Sequence, residues 1–263
     1  MNLFVMLGYI VAINWFCLTV VWLVSVKIKD ASIIDIYWGI GFIVMAWACL
    51  LINLVHNPTS VSINQWLINF MVTIWGFRLS LHLAVRNLGK GEDYRYVAMR
   101  KRSVLDFRIQ SYFRVFMFQG LLQILVITPV IAIHYYPSEF GLSIFHYLGL
   151  AVWLIGFTYE TAADIQLVNF RSDPSNHNKV LNSGLWRFSR HPNYFGDVLQ
   201  WLAFFIFSLQ TGHYWGIISP VLMLFIFLRL TIRLLEKSQS NKRPEYEEYV
   251  KSTNIFFPGW KKN

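Results

Sequence analysis

Long apolar stretches separated by short basic ones set the limits on what this chain can fold into. Windows of about 20 apolar residues, the length a helix needs to cross the hydrocarbon core of a bilayer, recur near residues 3 to 25, 33 to 54, 63 to 84, 113 to 133, 143 to 163, 194 to 211 and 214 to 235. Backbone polar groups carried into lipid must be satisfied within the segment, which a helix does and an isolated strand does not. The expected fold class is therefore an all-α integral membrane protein with seven transmembrane helices. Hydrophobic residues make up 56% of the chain and charged residues only 14%, a balance that excludes an ordinary soluble enzyme.

Lysine and arginine collect on the cytoplasmic side of bilayers, and here they sort without exception. With the N-terminus outside and the C-terminus in the cytoplasm, the inner segments hold Lys27 and Lys29, then Arg86 to Arg114, Arg171 to Arg190 and Arg229 to Lys262. The outer loops, around His56 to Ser62, His134 to Leu142 and Gln210 to His213, hold no Lys or Arg, and only Arg78 lies within a span. One helix more or fewer in the middle would invert half of this pattern. The net charge of +9 thus reads as topology, and nothing suggests a nucleic-acid partner. Met1 and Asn2 lead straight into the first apolar run, which reads as a retained helix. Cys17 and Cys49 fall inside spans, far from any CxxC or His-rich spacing; they read as small buried hydrophobes, and neither a metal nor a disulfide is expected.

The polar residues gather at the inner rim. GLWRFSRHPNYFGD, residues 184 to 197, sets Arg190, His191, Asn193, Tyr194 and Asp197 at the mouth of an apolar helix. Polar groups beside hydrocarbon are costly unless a ligand, partner or water satisfies them. Pro192 suits the first turn of that helix, whose free amides favour an anion. The alternative is a basic flank that only orients the next span. Upstream, YETAADIQLVNFR places Glu160, Asp164 and Arg171 on one helical face, as a ligand site or as a structural ion-pair ladder. RNLGKGEDYRYVAMRKR, residues 86 to 102, lacks the spacing of a phosphate loop; Arg86 and Asn87, which abut the membrane, are its candidates for phosphate or amide contacts. In DIYWGIGF, Asp35 and Tyr37 enter the second span from inside. Asp35 is either a helix-start carboxylate favoured by the dipole or, bonded to the Tyr37 phenol, a proton donor to a substrate carbonyl. Arg78 and His82, spaced i and i+4, are further intramembrane candidates.

The segment from Asp164 through Asp197 resembles the C-terminal region of the steroid 5-alpha-reductase superfamily, and the whole chain is similar to its bacterial branch known as domain of unknown function 1295. RHPNYFGD also resembles the matching stretch of sterol C14 and C7 reductases, and a related RHP occurs in isoprenylcysteine methyltransferases. The resemblance covers roughly residues 145 to 260. It implies one membrane domain over 1–263, in which residues 1–110 line a lipophilic substrate pocket and residues 111–263 hold NADPH, in a bacterial inner membrane with the active site open to the cytoplasm. Asp164, Arg171, Asn193 and Asp197 match cofactor-pocket positions, whereas Glu160 stands where the steroid enzymes have asparagine and Gln200 where they often have a second glutamate. Asp35 is the nearest positional substitute for their catalytic glutamate.

The leading expectation is an NADPH-dependent reductase of a lipophilic enone among membrane lipids, with Asp35 and Tyr37 catalytic, and with Arg86, Asn87, Glu160, Asp164, Arg171, Arg190, His191, Asn193, Tyr194 and Asp197 at the cofactor. Arg171 and Arg190 would clamp its phosphates. The first rival is a lipid methyltransferase using S-adenosylmethionine; against it, the related methyltransferases generally keep adjacent glutamates at the end of the last span, whereas Glu236 is followed by Lys237. The second is a non-catalytic lipid-binding protein. No obligate protein partner is called for. The topology is open to direct test: in intact cells, an impermeant thiol reagent is expected to label a cysteine placed at Ser60 and to spare one at Ser175. The reverse pattern would overturn it.

Overall fold

The computed structural model describes residues 1–56, 61–136, 141–240, 243 and 245–260; Lys262, and the central parts of the loops expected to lie outside after His56 and His134, fall outside the described residues. Among these residues the chain is helical and holds no strand. Five helices are long and apolar enough to cross a membrane: Leu3–Ile28, Ile33–His56, Ile63–Asn87, Phe107–Val126 and Trp215–Ser240. Large side chains stand bare along them, Phe4 and Val55 each at 79% exposure, as hydrocarbon solvent requires. The chain is an integral membrane protein.

Two compact units divide the chain, Met1–Ser143 with Ser208–Gly216 and Ile144–Phe207 with Ile217–Asn263. The first break between them falls after Ser143. In the first unit, α1 (Leu3–Ile28) starts where the Asn2 carboxamide accepts the Phe4 amide at 3.0 Å and stops at Lys29, held left-handed at φ 58°. Helix α2 (Ile33–His56) packs on α3 (Ile63–Asn87) through facing glycines. A Cβ on Gly76 would sit 2.7 Å from the Gly39 carbonyl and 2.9 Å from Ile43, so only glycine lets the two backbones meet. Two short helices follow, α4 (Tyr94–Lys101) and α5 (Phe107–Ser111). The expected span 113 to 133 is not one straight helix: a π-helical stretch, Tyr112–Met117, leads into α6 (Phe118–Val126), and Pro129 then opens α7 (Thr128–Tyr135), since proline cannot continue the ladder that precedes it. The end of this unit near His134 holds a buried polar knot. The Asn53 and Gln65 amides donate to the His134 carbonyl, and His134 Nε2 lies 2.9 Å from Asn69 Oδ1.

In the second unit, α8 (Ile144–Ser172) runs well past residue 163, because nothing in TYETAADIQLVNF breaks a helix. Helix α9 (Pro192–Ser208) starts at its proline, as expected of a residue whose missing N–H is no loss in a first turn. At 17 residues it is short for a span, and neither α8 nor α9 is among the five apolar helices, although they stand where the fifth and sixth spans were expected. The last long helix comprises a 3-10 turn, then α10 (Ile218–Phe225), a π-helical stretch and α11 (Ile232–Ser240), and α12 (Tyr246–Ser252) follows in the tail.

The glycine contact makes a sharp expectation. Gly76→Val should destabilise the protein by about 1–3 kcal/mol through overpacking, read as a lower melting temperature in detergent. Gly8→Ala, with nothing within 4 Å of the new methyl, should cost nothing.

Candidate functional site

Each unit carries a polar cluster that contains residues marked by the sequence. In the first, Asp35 stands in the opening turn of α2 and is largely buried, its side chain 15% exposed. Its partners come from α4. Arg95 donates to Oδ2 at 2.6 Å and the Tyr96 hydroxyl donates to Oδ1 at 2.8 Å, while the Gln119 amide of α6 approaches the same hydroxyl at 3.3 Å. Asp93 caps α4 by accepting the Arg95 amide and also binds its guanidinium, both at 2.9 Å. Burial would raise the Asp93 carboxyl, but these Arg95 bonds outweigh it and hold the group below its ordinary value. Burial and the Asp35 charge together push the Tyr96 phenol well up.

The pairing of Asp35 with Tyr37 expected from sequence does not occur. Two residues along a helix turn a side chain about 200° around the axis, and Tyr37 lies instead beside Gly41 and Cys17. Since both partners donate to Asp35, it acts here as an acceptor, not as the protonated donor expected of it. Arg86 and Asn87, at the end of α3, bind each other at 3.0 Å, and the Asn87 amide nitrogen has no partner among the described residues.

The second cluster lies between α8 and α9. Its geometry depends on Gly156 and Gly196: a Cβ on Gly196 would meet the Glu160 amide at 2.6 Å, and one on Gly156 the Gly196 carbonyl at 2.7 Å. With the backbones so close, the polar side chains pair across the seam. Asn193 donates to Asp164 at 3.0 Å and Gln200 donates to Glu160 at 2.6 Å. Glu160, Asp164, Asp197 and Gln200 are buried. The Asn193 and Gln200 amide oxygens have no donor among the described residues. Arg171 is exposed in the last turn of α8.

Arg190 is buried and already engaged. It donates to Glu236 at 2.7 and 3.3 Å and to the carbonyls of Val250 and Thr253 at 2.7 and 2.9 Å. Its amide reaches the Asn254 carbonyl at 2.8 Å, and Ser189 donates to the Phe256 carbonyl. This side chain pins the tail beneath α9, and its committed donors do not fit the phosphate clamp expected of it. His191 lies 3.2 Å from Glu236 and stacks on Tyr194, which stacks on Phe227 at 4.5 Å. Sequence reading had treated Glu236 only as the end of a span, and had not singled out Arg95 or Tyr96; the mixture of acids and aromatics in GEDYRY was the available signal.

The structure thus brings Glu160, Asp164, Asn193 and Gln200 together, and His191 with Tyr194. The orphaned Asn193 and Gln200 oxygens suit donors such as a carboxamide or ribose hydroxyl.

A family model described as protein of unknown function (DUF1295) matches residues 21–253. The chain belongs to this family. It is 27% identical over 266 residues, 91% of this chain and 76% of the relative, to an uncharacterized protein of Schizosaccharomyces pombe. It is also 29% identical over 110 residues to 3-oxo-5-alpha-steroid 4-dehydrogenase 1 of Rattus norvegicus, covering 42% of this chain and 40% of the relative. Very-long-chain enoyl-CoA reductase of Dictyostelium discoideum is 30% identical over 112 residues, covering 43% and 35%. These matches bear out the similarity to the steroid 5-alpha-reductase superfamily, although the aligned part spans less than half of either reductase. No solved structure matches the chain.

The buried histidine gives a pH signature. Burial, chiefly, pushes the His191 imidazole below its ordinary 6.5, against the pull of Glu236. Above about pH 6.5 the folded and unfolded chains bind the same number of protons here. Below it the unfolded imidazole gains a proton that the folded one resists, so stability is lost as pH falls. Melting temperature is expected to drop between about pH 6.5 and 5.5, and less steeply in a His191→Gln variant.

Proposed function

We propose that this protein is an NADPH-dependent membrane reductase acting on a carbon–carbon double bond conjugated to a carbonyl in a lipophilic substrate. The α8–α9 seam carries the reading: paired Asp164–Asn193 and Glu160–Gln200, with two orphaned acceptors, lie in the segment whose sequence resembles the cofactor region of such enzymes. Asp164, Asn193, Asp197 and Glu160 would hold the ribose and amide ends, with Arg171 toward phosphate; His191 and Tyr194 support the wall, and Arg190 shapes it by pinning the tail. The cofactor supplies a hydride for the β carbon.

The Asp35 cluster has chemistry suited to a carbonyl oxygen. Reduction builds negative charge on the carbonyl oxygen, and fixed donors in a site sparing of water stabilise it. Arg95 is such a donor, through the guanidinium nitrogen that binds neither Asp35 nor Asp93; Asp35 orients it, and Tyr96, not Tyr37, is the phenol that donates to Asp35 and holds it in place. The α carbon then takes up a proton. The topology belongs to the same proposal: seven spans, with α8 and α9 as the fifth and sixth, in a bacterial inner membrane with the clusters facing the cytoplasm. A methyltransferase remains the second reading, because buried carboxylates also suit a cationic cofactor such as S-adenosylmethionine.

Titrating purified protein with each cofactor separates the two. A ligand at 100 times its dissociation constant adds roughly 2.7 kcal/mol of stability, and this is expected for NADPH; stabilisation by S-adenosylmethionine alone would overturn the proposal. Arg171→Ala should weaken NADPH by about 1.5 to 3 kcal/mol. Asp35→Asn and Tyr96→Phe should slow single-turnover reduction of a lipophilic enone and leave NADPH affinity in place.

A further inference from the structure

Apart from both clusters, the first unit contains a cavity of about 160 Å³ at the end of α1, lined by Ser25, Lys29, Arg100, Phe107, Arg108 and Ser111. A water occupies about 30 Å³, so the space admits a group of several heavy atoms. Its walls are fixed from several sides. The Trp22 indole donates to the Arg108 carbonyl at 3.1 Å, tying α5 to α1. Arg100 lies 4.1 Å over the Phe107 ring and binds Glu92 through two nitrogens, at 2.7 and 3.0 Å. Glu92 in turn accepts the Ala31 amide at 2.9 Å.

Of the three cations that line the cavity, one is paired. Glu92 neutralises Arg100, but neither the Lys29 ammonium nor the Arg108 guanidinium has a carboxylate or hydrogen-bond partner among the described residues. The adjacent acids face elsewhere: Asp30 takes the Ser32 amide and Asp106 the Arg108 amide. Ser25 and Ser111 give their protons to the carbonyls of Trp22 and Arg108, so the donors open to a ligand are cationic. A partly enclosed cavity whose lining holds two cations without a carboxylate partner and no acid suits an anion with several oxygens.

We infer that this cavity binds a phosphate group, the phosphate of an anionic lipid headgroup or free phosphate. The rim favours the lipid. Ile28, Val104, Leu105 and Ile109, close in sequence to the lining residues, are exposed, Val104 at 97% and Leu105 at 68%, and apolar side chains beside lysine and arginine are the mark of a surface seated in the headgroup layer.

The test uses the full chain in nanodiscs, with Lys29→Asn and Arg108→Gln combined; asparagine tolerates the left-handed backbone of Lys29. Replacing part of the phosphatidylcholine by phosphatidylglycerol is expected to raise the melting temperature of the wild type and of an Arg102→Gln control. In the double variant the shift disappears, and the lipid binds about tenfold or more weakly by native mass spectrometry. If inorganic phosphate in phosphatidylcholine discs reproduces the wild-type shift and the double variant abolishes it, the site stands with free phosphate as its ligand. Equal shifts in wild type and double variant, or equal loss in Arg102→Gln, would overturn the proposal. So would a double variant that loses NADPH affinity while its lipid response stays intact, since the cavity would then belong to the cofactor.

Discussion

Hydrocarbon offers no hydrogen bonds, so each polar side chain that enters these helices must find its partner within the protein. That demand explains the glycines. Gly39 facing Gly76, and Gly156 facing Gly196, bring backbones close enough for short polar side chains to bridge the remaining gap. At the α8–α9 seam the same closeness lets Asn193 reach Asp164 and Gln200 reach Glu160. The packing contact and the candidate site are one arrangement: widening the seam by a methyl group would strand buried carboxylates, which is far more expensive than the lost van der Waals contact.

The two clusters solve different electrostatic problems. Around Asp35, two acids share one arginine beside a phenol, so Arg95 offsets only part of the negative charge within about one helical turn of α4. Along α8 and α9, acids face amides, which can donate to a carboxylate while keeping an oxygen to offer elsewhere. An amide used in this way costs no net charge, and it leaves acceptors exposed to whatever enters the seam.

Much of this was legible in the sequence because it is local or periodic. Apolar windows located the helices, and Pro192 marked the start of α9. The polar stretch 159–171 was correctly read as helical, although a helix can leave the bilayer without ending, so its length was not legible from hydropathy. Partners distant in sequence were not. Asp35 was visible as an anomaly, but Tyr96 lies 61 residues away, and proximity in sequence pointed to Tyr37 on another side of the helix. Arg190 was equally visible and misjudged for a related reason: two of its partners are backbone carbonyls, which have no signature in side-chain identity.

The commitment of Arg190 to the tail also has a consequence in time. Its partners at Glu236, Val250 and Thr253 emerge from the ribosome dozens of residues later, a delay of several seconds at about 5–20 residues per second. Until then the nascent chain carries a guanidinium at the mouth of α9 without its native partners. Closure of the α9 entrance is therefore among the last events of biogenesis, and a chain stalled before residue 236 would present that unpaired cation to the insertion and quality-control machinery of the cell.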